Sequence, residues 1–307
     1  MSLPSFLGCF LREGAMNIGY ACLTLGVPEI KYKAVRMVNA EASVLLDVIQ
    51  NNLQALERAI EYNGANGIHL FRISSDLIPF GSSSVNELAW WEIFAHDFER
   101  IGDKINHFKI RVSMHPGQYT VINSPDTIVV SRAIADLIYH TRVLDALGVD
   151  SSAKIILHVG GVYGNKPEAI QRFINVHKTL PDFVRSRAVI ENDEKCYNIH
   201  EVLQIAEALS IPVVYDNLHN QINPFSSEVT DAEWIKKAGK TWKDGDGRQK
   251  THYSQQDAQK KRGSHSLTIA IDPFLNYVAK IADVDIMLEV KDKNLSAIKC
   301  INCLRQD

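Results

Sequence analysis

The chain has 307 residues, 46% of them hydrophobic and 22% charged, and a formal net charge of −3. That balance is globular, and it excludes a largely disordered chain and a protein that coats nucleic acid by bulk positive charge. No run approaches the ~18 apolar residues of a membrane helix and no signal peptide is legible at the N-terminus, so a cytoplasmic protein is expected.

Residues 1–15 precede the first strand-like run and are read as an N-terminal extension, either an upstream start or a poorly ordered tail. NIGYACL (17–23) then opens a series in which short β-branched or apolar runs alternate with helical patterns. An apolar-periodic stretch from Glu41 to Tyr62 precedes GIHLFRIS (67–74), and a helical pattern from Val85 to Ile101 precedes KIRVSMH (109–115). A helix near 127–147 leads to KIILH (154–158), and one near 166–180 leads to RAVIEN (187–192). PVVYD (212–216), RQKTHYS (248–254) and VDIMLE (284–289) complete the series before a last helix near 292–303. The seventh unit is the weakest, because its surroundings are polar and loop-like.

Eight strands interleaved with helices imply parallel pairing through right-handed crossovers, and the chain exceeds the about 250 residues that such a closed fold commonly needs. The expected architecture is therefore a (β/α)8 TIM barrel forming one domain over residues 16–307, with a doubly wound open sheet as the alternative. Cys9, Cys22, Cys196, Cys300 and Cys303 are odd in number and scattered, which reads as reduced thiols; Cys300 and Cys303 have CxxC spacing without a second pair. Residues 236–262 carry nine Lys and Arg, either a solvated face or a phosphate-contacting one.

The informative pattern is where His and acidic residues fall. His115 ends the third strand, His158 the fourth, Glu191 sits near the end of the fifth, Asp216 ends the sixth and Glu289 the eighth. His219 follows Asp216 by three residues, and His252 and His265 bracket the seventh unit. In a barrel the C-terminal strand ends share one mouth, so these eight side chains would converge. Carboxylates and imidazoles brought together at the edge of a core need a shared partner, which metal ions supply. Mixed N/O ligation suits zinc or manganese, and eight donors suggest two or three ions with Glu191 as a bridge. His69, His96, His107, His140, His177 and His200 lie within a strand, in helices or in loops and are read as non-ligands. Lys250 lies two residues before His252, on the same face of an extended segment. It either meets a substrate phosphate or carries a carbamate that serves as an anionic ligand.

These residues resemble the UV damage endonucleases, a family of (β/α)8 barrels within the xylose isomerase-like and apurinic endonuclease-like superfamily. The resemblance rests on IGY (18–20), FRISSDLIP (71–79), SMHPGQY (113–119), LHVGGVYGNK (157–166), IENDE (190–194), YDNLHN (215–220), KTHYS (250–254), GSHS (263–266) and LEVKDK (288–293), and runs in order from about residue 16 to 294. It implies a metal-dependent DNA repair enzyme that incises 5′ to cyclobutane dimers and 6-4 photoproducts, acting also on abasic sites. It implies three divalent ions, Mn2+ first, with Zn2+, Co2+ or Mg2+ as alternatives, held by His115, His158, Glu191, Asp216, His219, His252, His265 and Glu289. Glu191, Lys250 and His252 become the candidate catalytic residues, and Lys250 matches a lysine modified in the family. Gln118 and Tyr119 match residues that push into the duplex, and Tyr20 matches one lining the lesion site. One departure is that no Asn follows Tyr20 before Asn39.

The expected partner is damaged double-stranded DNA, met by a monomer with no obligate protein partner. A damaged dipyrimidine is poorly stacked, so extruding it costs less than the few kcal/mol of an intact step. Because histidine ligands must be neutral, activity is expected to fall below about pH 6.5. The competing readings are an apurinic endonuclease, a sugar isomerase-like barrel and a damage-binding protein that does not cut.

Overall fold

The computed structural model describes residues 16–306, and the expected extension at residues 1–15 lies outside them. In chain order the elements are β1 (Ile18–Ala21), α1 (Ala42–Ala65), β2 (Leu70–Arg72), α2 (Trp90–Ile93), α3 (Ala95–His107), β3 (Arg111–Met114), α4 (Thr127–Ala146), β4 (Lys154–His158), α5 (Lys166–Thr179), α6 (Asp182–Arg185), β5 (Ala188–Glu191), α7 (Ile199–Leu209), β6 (Val213–Asp216), α8 (Asn217–Ile222), α9 (Asp231–Gly239), β7 (Lys250–Tyr253), α10 (Ile271–Val278), β8 (Asp285–Leu288) and α11 (Asn294–Gln306).

The eight strands close into a barrel in sequence order, each parallel to the next. Pairing of Ile18 with Ile286, Gly19 with Met287 and Tyr20 with Leu288 seals the ring and rules out the open sheet. Gly19 is required where β1 meets β2, since a Cβ there would stand 2.0 Å from the Leu70 carbonyl oxygen. Local chemistry sets several helix starts. The Asp126 carboxylate accepts from Ile128 N–H at α4, while Asn198 with Glu201 and Thr230 with Glu233 form reciprocal caps at α7 and α9.

Two expectations change. The helix read over 85–101 begins only at Trp90 and breaks at Phe94, whose backbone leaves helical geometry. Asn86 holds the preceding segment as a turn, its amide donating to the Pro79 carbonyl and its side-chain oxygen accepting from Leu88 N–H. The weak seventh strand is fully buried, and its polar side chains face the barrel interior with mixed fates: Thr251 donates to the Tyr215 carbonyl at 2.6 Å, while Lys250 Nζ is buried without a hydrogen bond.

An ionic layer closes the N-terminal end of the barrel. Arg111 meets Asp285 at 3.0 Å, Asn17 donates to the same carboxylate, and Lys154 meets Asp246 at 2.6 Å. The basic stretch 236–262 is thereby divided. Asp246 and its neighbours pack under this closed end, Lys250 is buried, and Lys260 and Lys261 stand exposed beyond the far end of β7. Among the described residues Cys22, Cys196, Cys300 and Cys303 are free thiols, as expected.

Candidate metal centre

The parallel register brings the C-terminal strand ends to one level. His158 pairs with Glu191 across β4 and β5, and Asp216 with His252 across β6 and β7. Glu191 is fully buried at the centre. His115 Nε2 lies 3.2 Å from its Oε2, while His252 Nδ1 at 3.0 Å and His219 Nδ1 at 3.3 Å face its Oε1. Three groups have ligand atoms within 4.8 Å of one another: His115, His158 and Glu191; Glu191, His252 and Glu289; Glu191, Asp216 and His219. Glu191 belongs to all three, the position expected of a bridging carboxylate. His265 stands apart, 30% exposed at its side chain and 3.9 Å from Glu289. The six histidines read as non-ligands lie outside every such group.

The donor set fits divalent cations. The Pro116 carbonyl, 3.0 Å from His115 Nδ1, can only accept, so Nδ1 donates there and Nε2 is the nitrogen presented to the Glu191 carboxylate. A ring nitrogen and a carboxylate oxygen held that close can serve one cation together. His158 Nδ1, Glu191 Oε1 and Asp216 Oδ2 are buried without a well-aligned hydrogen bond. The set is oxygen and nitrogen without thiolate, which suits Mn2+, Zn2+, Co2+ or Mg2+.

Electrostatics carry the same signature. Burial pushes His158 and His252 down to about 4, so both are neutral near neutral pH, the form a metal ligand needs. Burial opposes charge on Glu191, but His252, His115 and His219 hold it well below the usual carboxylate range. Burial pushes Asp216 up, aided by Glu191 and Glu289 and opposed by His219. His219 rises to about 11, because Asp216 and Glu191 outweigh the burial that disfavours its charge.

Arg72 is the residue that sequence reasoning missed. It ends β2 and is buried, and its guanidinium lies 2.7 Å from Glu289 Oε1 and 2.8 Å from His252 Nε2. Burial works against charge on Glu289, yet Arg72 and His252 keep that carboxylate well below its usual range. Arg72 sits at a strand end like the ligands; a search for metal donors passes over a cation. Asn192 is a second omission. Its amide bonds both ways with the Asp216 backbone, at 2.9 and 3.0 Å, and its carbonyl accepts from His219 Nδ1 at 2.9 Å, fixing that ring.

The remaining expected residues divide. Gln118 is exposed and Tyr119 is 72% exposed, at a turn beside the mouth closed by a Thr120 N–H bond to the Gly117 carbonyl. Tyr20 corrects its expectation: it is fully buried, its hydroxyl sharing a hydrogen bond of 2.6 Å with Thr24 and donating to Asn63 Oδ1 at 2.8 Å. A side chain used that way has no face for a duplex. Tyr20→Phe is therefore expected to lower folding stability by about 1–2 kcal/mol in chemical denaturation, with DNA affinity intact. Unchanged stability with weakened lesion binding would return Tyr20 to the DNA surface. Lys250 is also fully buried, one layer beneath His252 and in register with Asp285, which removes the substrate-phosphate role expected of an exposed amine. Its Nζ has no hydrogen-bond partner, and burial, with Arg111, Arg72 and Lys154 nearby, holds it well below the usual lysine range.

A closed eight-stranded parallel barrel with a carboxylate–histidine cluster at its mouth defines a (β/α)8 protein built to hold metal. The family model described as UV-endonuclease UvdE matches residues 16–306, and the chain belongs to that family. It is 46% identical over 294 residues to a UV DNA damage endonuclease of Clostridium perfringens, covering 95% of this chain and 71% of that protein. It is 35% identical over 262 residues to one of Bacillus cereus strain Q1, covering 84% and 82%. The crystal structure of SacUVDE superposes with a TM-score of 0.90 at 36% identity over 95% of this chain and 98% of the other. D-Psicose 3-epimerase of Clostridium cellulolyticum H10, with a TM-score of 0.53 at 13% identity, covering 81% of this chain and 92% of that one, shares the fold alone.

Proposed function

We propose that this protein is a DNA repair enzyme that incises the phosphodiester backbone of double-stranded DNA 5′ to ultraviolet photoproducts, with abasic sites as a further substrate. The observation that carries the reading is membership of an endonuclease family together with a Glu191-centred cluster that retains its donors. Residues 16–307 act as one domain, as a cytoplasmic monomer; no helix among the described residues is long and apolar enough to cross a membrane.

His115, His158, Glu191, Asp216, His219, His252, His265 and Glu289 would hold three divalent ions, Mn2+ foremost. Bound there, such ions lower the pKa of water toward neutrality and stabilise charge on phosphate oxygens. The chain's own residues prepare that chemistry. The Pro116 and Asn192 carbonyls fix the His115 and His219 rings, Asn192 ties down the strand end that presents Asp216, and burial keeps His158 and His252 neutral. Gln118 and Tyr119, exposed beside the mouth, would meet the duplex, and the exposed Lys260 and Lys261 would contact backbone phosphates. The epimerase-like neighbours favour no sugar reading, because a sugar pocket has no use for an exposed amide and phenol at its rim.

Incubating irradiated, abasic and undamaged duplexes with the protein and Mn2+ tests this. Nicking of the irradiated strand beside the lesion is expected. Nicking of the abasic duplex alone selects an apurinic endonuclease, and tight binding without nicking selects a damage sensor.

Lys250 fits a carbamate. A neutral amine adds CO2 to give a carbamate anion and releases one proton, and Arg111, Arg72 and Lys154 favour the negative product. Intact mass in bicarbonate, before and after brief acid treatment, should lose about 44 Da, the mass of CO2, from Lys250. An active, metal-loaded sample with an unmodified Lys250 would remove the modification from the account.

A further inference from the structure

A buried polar chain connects helix α4 to both ends of the turn that presents Gln118 and Tyr119. At one end Thr120 Oγ1 donates to Asp136 Oδ2 at 2.6 Å. One helical turn on, His140 Nδ1 lies 2.7 Å from the Asp136 carbonyl, and its Nε2 lies 2.9 Å from Ser75 Oγ. Ser75 Oγ in turn donates to the His115 carbonyl at 2.8 Å. The segment carrying Ser75 is itself pinned to α4, where the Tyr139 hydroxyl donates to the Ser75 carbonyl and accepts from Ile78 N–H. Asp136, His140 and Thr120 are all buried.

We propose that Asp136 and His140, through Thr120 and Ser75, form a clamp that fixes both ends of the 115–120 turn, making them positioning residues for lesion discrimination. The inference rests on the reading of Gln118 and Tyr119 as the DNA-probing pair. A helix that needed only cohesion would be served by apolar residues here, as it is at Leu137, Val143 and Leu144, without the penalty of burying polar groups. Instead the polar side chains end on two groups of one short turn, flanking its exposed tip. Besides these ends, the tip has two backbone bonds, Thr120 N–H to the Gly117 carbonyl and Val121 N–H to the Tyr119 carbonyl, and the Tyr119 ring over Gly117, where a Cβ would stand 2.3 Å from that ring. Fixing the ends before DNA arrives removes an ordering cost that binding would otherwise bear, most strongly in the complex where the tip is inserted. One end of the clamp is the backbone of His115, so the turn is held in register with the metal centre.

The test uses the full chain loaded with Mn2+, comparing Thr120→Val, Ser75→Ala and the conservative Thr120→Ser. Read-outs are affinity for irradiated and undamaged duplexes, kcat, KM and bound metal. For Thr120→Val and Ser75→Ala the ratio of irradiated to undamaged affinity is expected to fall about tenfold, the loss typical of a buried hydrogen bond. KM should rise in parallel, with kcat within about twofold of the parent and metal content unchanged. Thr120→Ser, which keeps the hydroxyl, should restore the ratio. An unchanged ratio, a loss confined to kcat and metal, or no rescue by Thr120→Ser would overturn the clamp. Gln118→Ala combined with Tyr119→Ala separates the two readings. If that double variant loses discrimination while Thr120→Val and Ser75→Ala keep it, the clamp alone fails; if it keeps discrimination, the probing pair fails and the clamp with it.

Discussion

Glu191→Ala is expected to strip metal from the whole cluster and to lower incision by more than about a thousandfold, while the barrel stays folded. Each of the three ligand groups includes this carboxylate, so its loss breaks every one of them. The β4–β5 ladder, from Ile155 with Ala188 to His158 with Glu191, is a backbone register that the side chain does not supply. His265→Ala is the contrast. That ring is partly exposed and lies 3.9 Å from Glu289, so its removal should cost about 10–100-fold in affinity for one ion and leave the others bound. Elemental analysis of both variants beside incision rates and far-UV dichroism decides the matter. Full metal loading in Glu191→Ala would end the bridging role.

The barrel was legible because buried parallel strands read as near-continuous apolar runs and because eight of them alternate with helices. The cluster was legible because a titratable residue at the end of such a run contradicts its surroundings, and the contradiction recurs from His115 to Glu289. The sequence was less informative where a residue's partner lies far along the chain. Arg72 reads as an ordinary strand-end arginine until β8 brings Glu289, 217 positions away, to within 2.7 Å. Tyr20 was misassigned for a related reason. Its resemblance to a lesion-site tyrosine says nothing of Asn63, on α1, which takes its hydroxyl into the core. Lys250 was placed on the correct face but at the wrong depth, since spacing of two gives the face of a strand and not the layer of the barrel. The clamp was invisible for the same reason as Arg72: Asp136 and His140 look like a polar stripe on a helix until the loops of β2 and β3 close over them.

Metal binding should release about one proton at pH 8 and more than one below pH 7, so affinity for Mn2+ should weaken about tenfold per pH unit near pH 8 and more steeply toward pH 6. The sign follows from which ligands hold protons in the metal-free chain. His158 and His252, near 4, are already neutral throughout that range and release nothing. His219, raised to about 11, enters it as an imidazolium and must lose its proton to become a ligand. Asp216 is pushed up in the same direction and adds a second displaced proton toward the acid end. Activity therefore declines with acidity through His219 and Asp216, and not through titration of all the histidines near 6.5 as spacing alone suggests. The metal-free fold has a separate acid limit. Its buried neutral His158 and His252 resist protonation down to about 4, whereas the unfolded chain takes up those protons below about 6.5, so stability drains away across that lower window. Calorimetric titration with Mn2+ in two buffers of different ionisation enthalpy counts the released protons directly. A pH-independent affinity between pH 8 and 6 would mean that His219 is already deprotonated before metal arrives, and would overturn the charge assignment of the cluster.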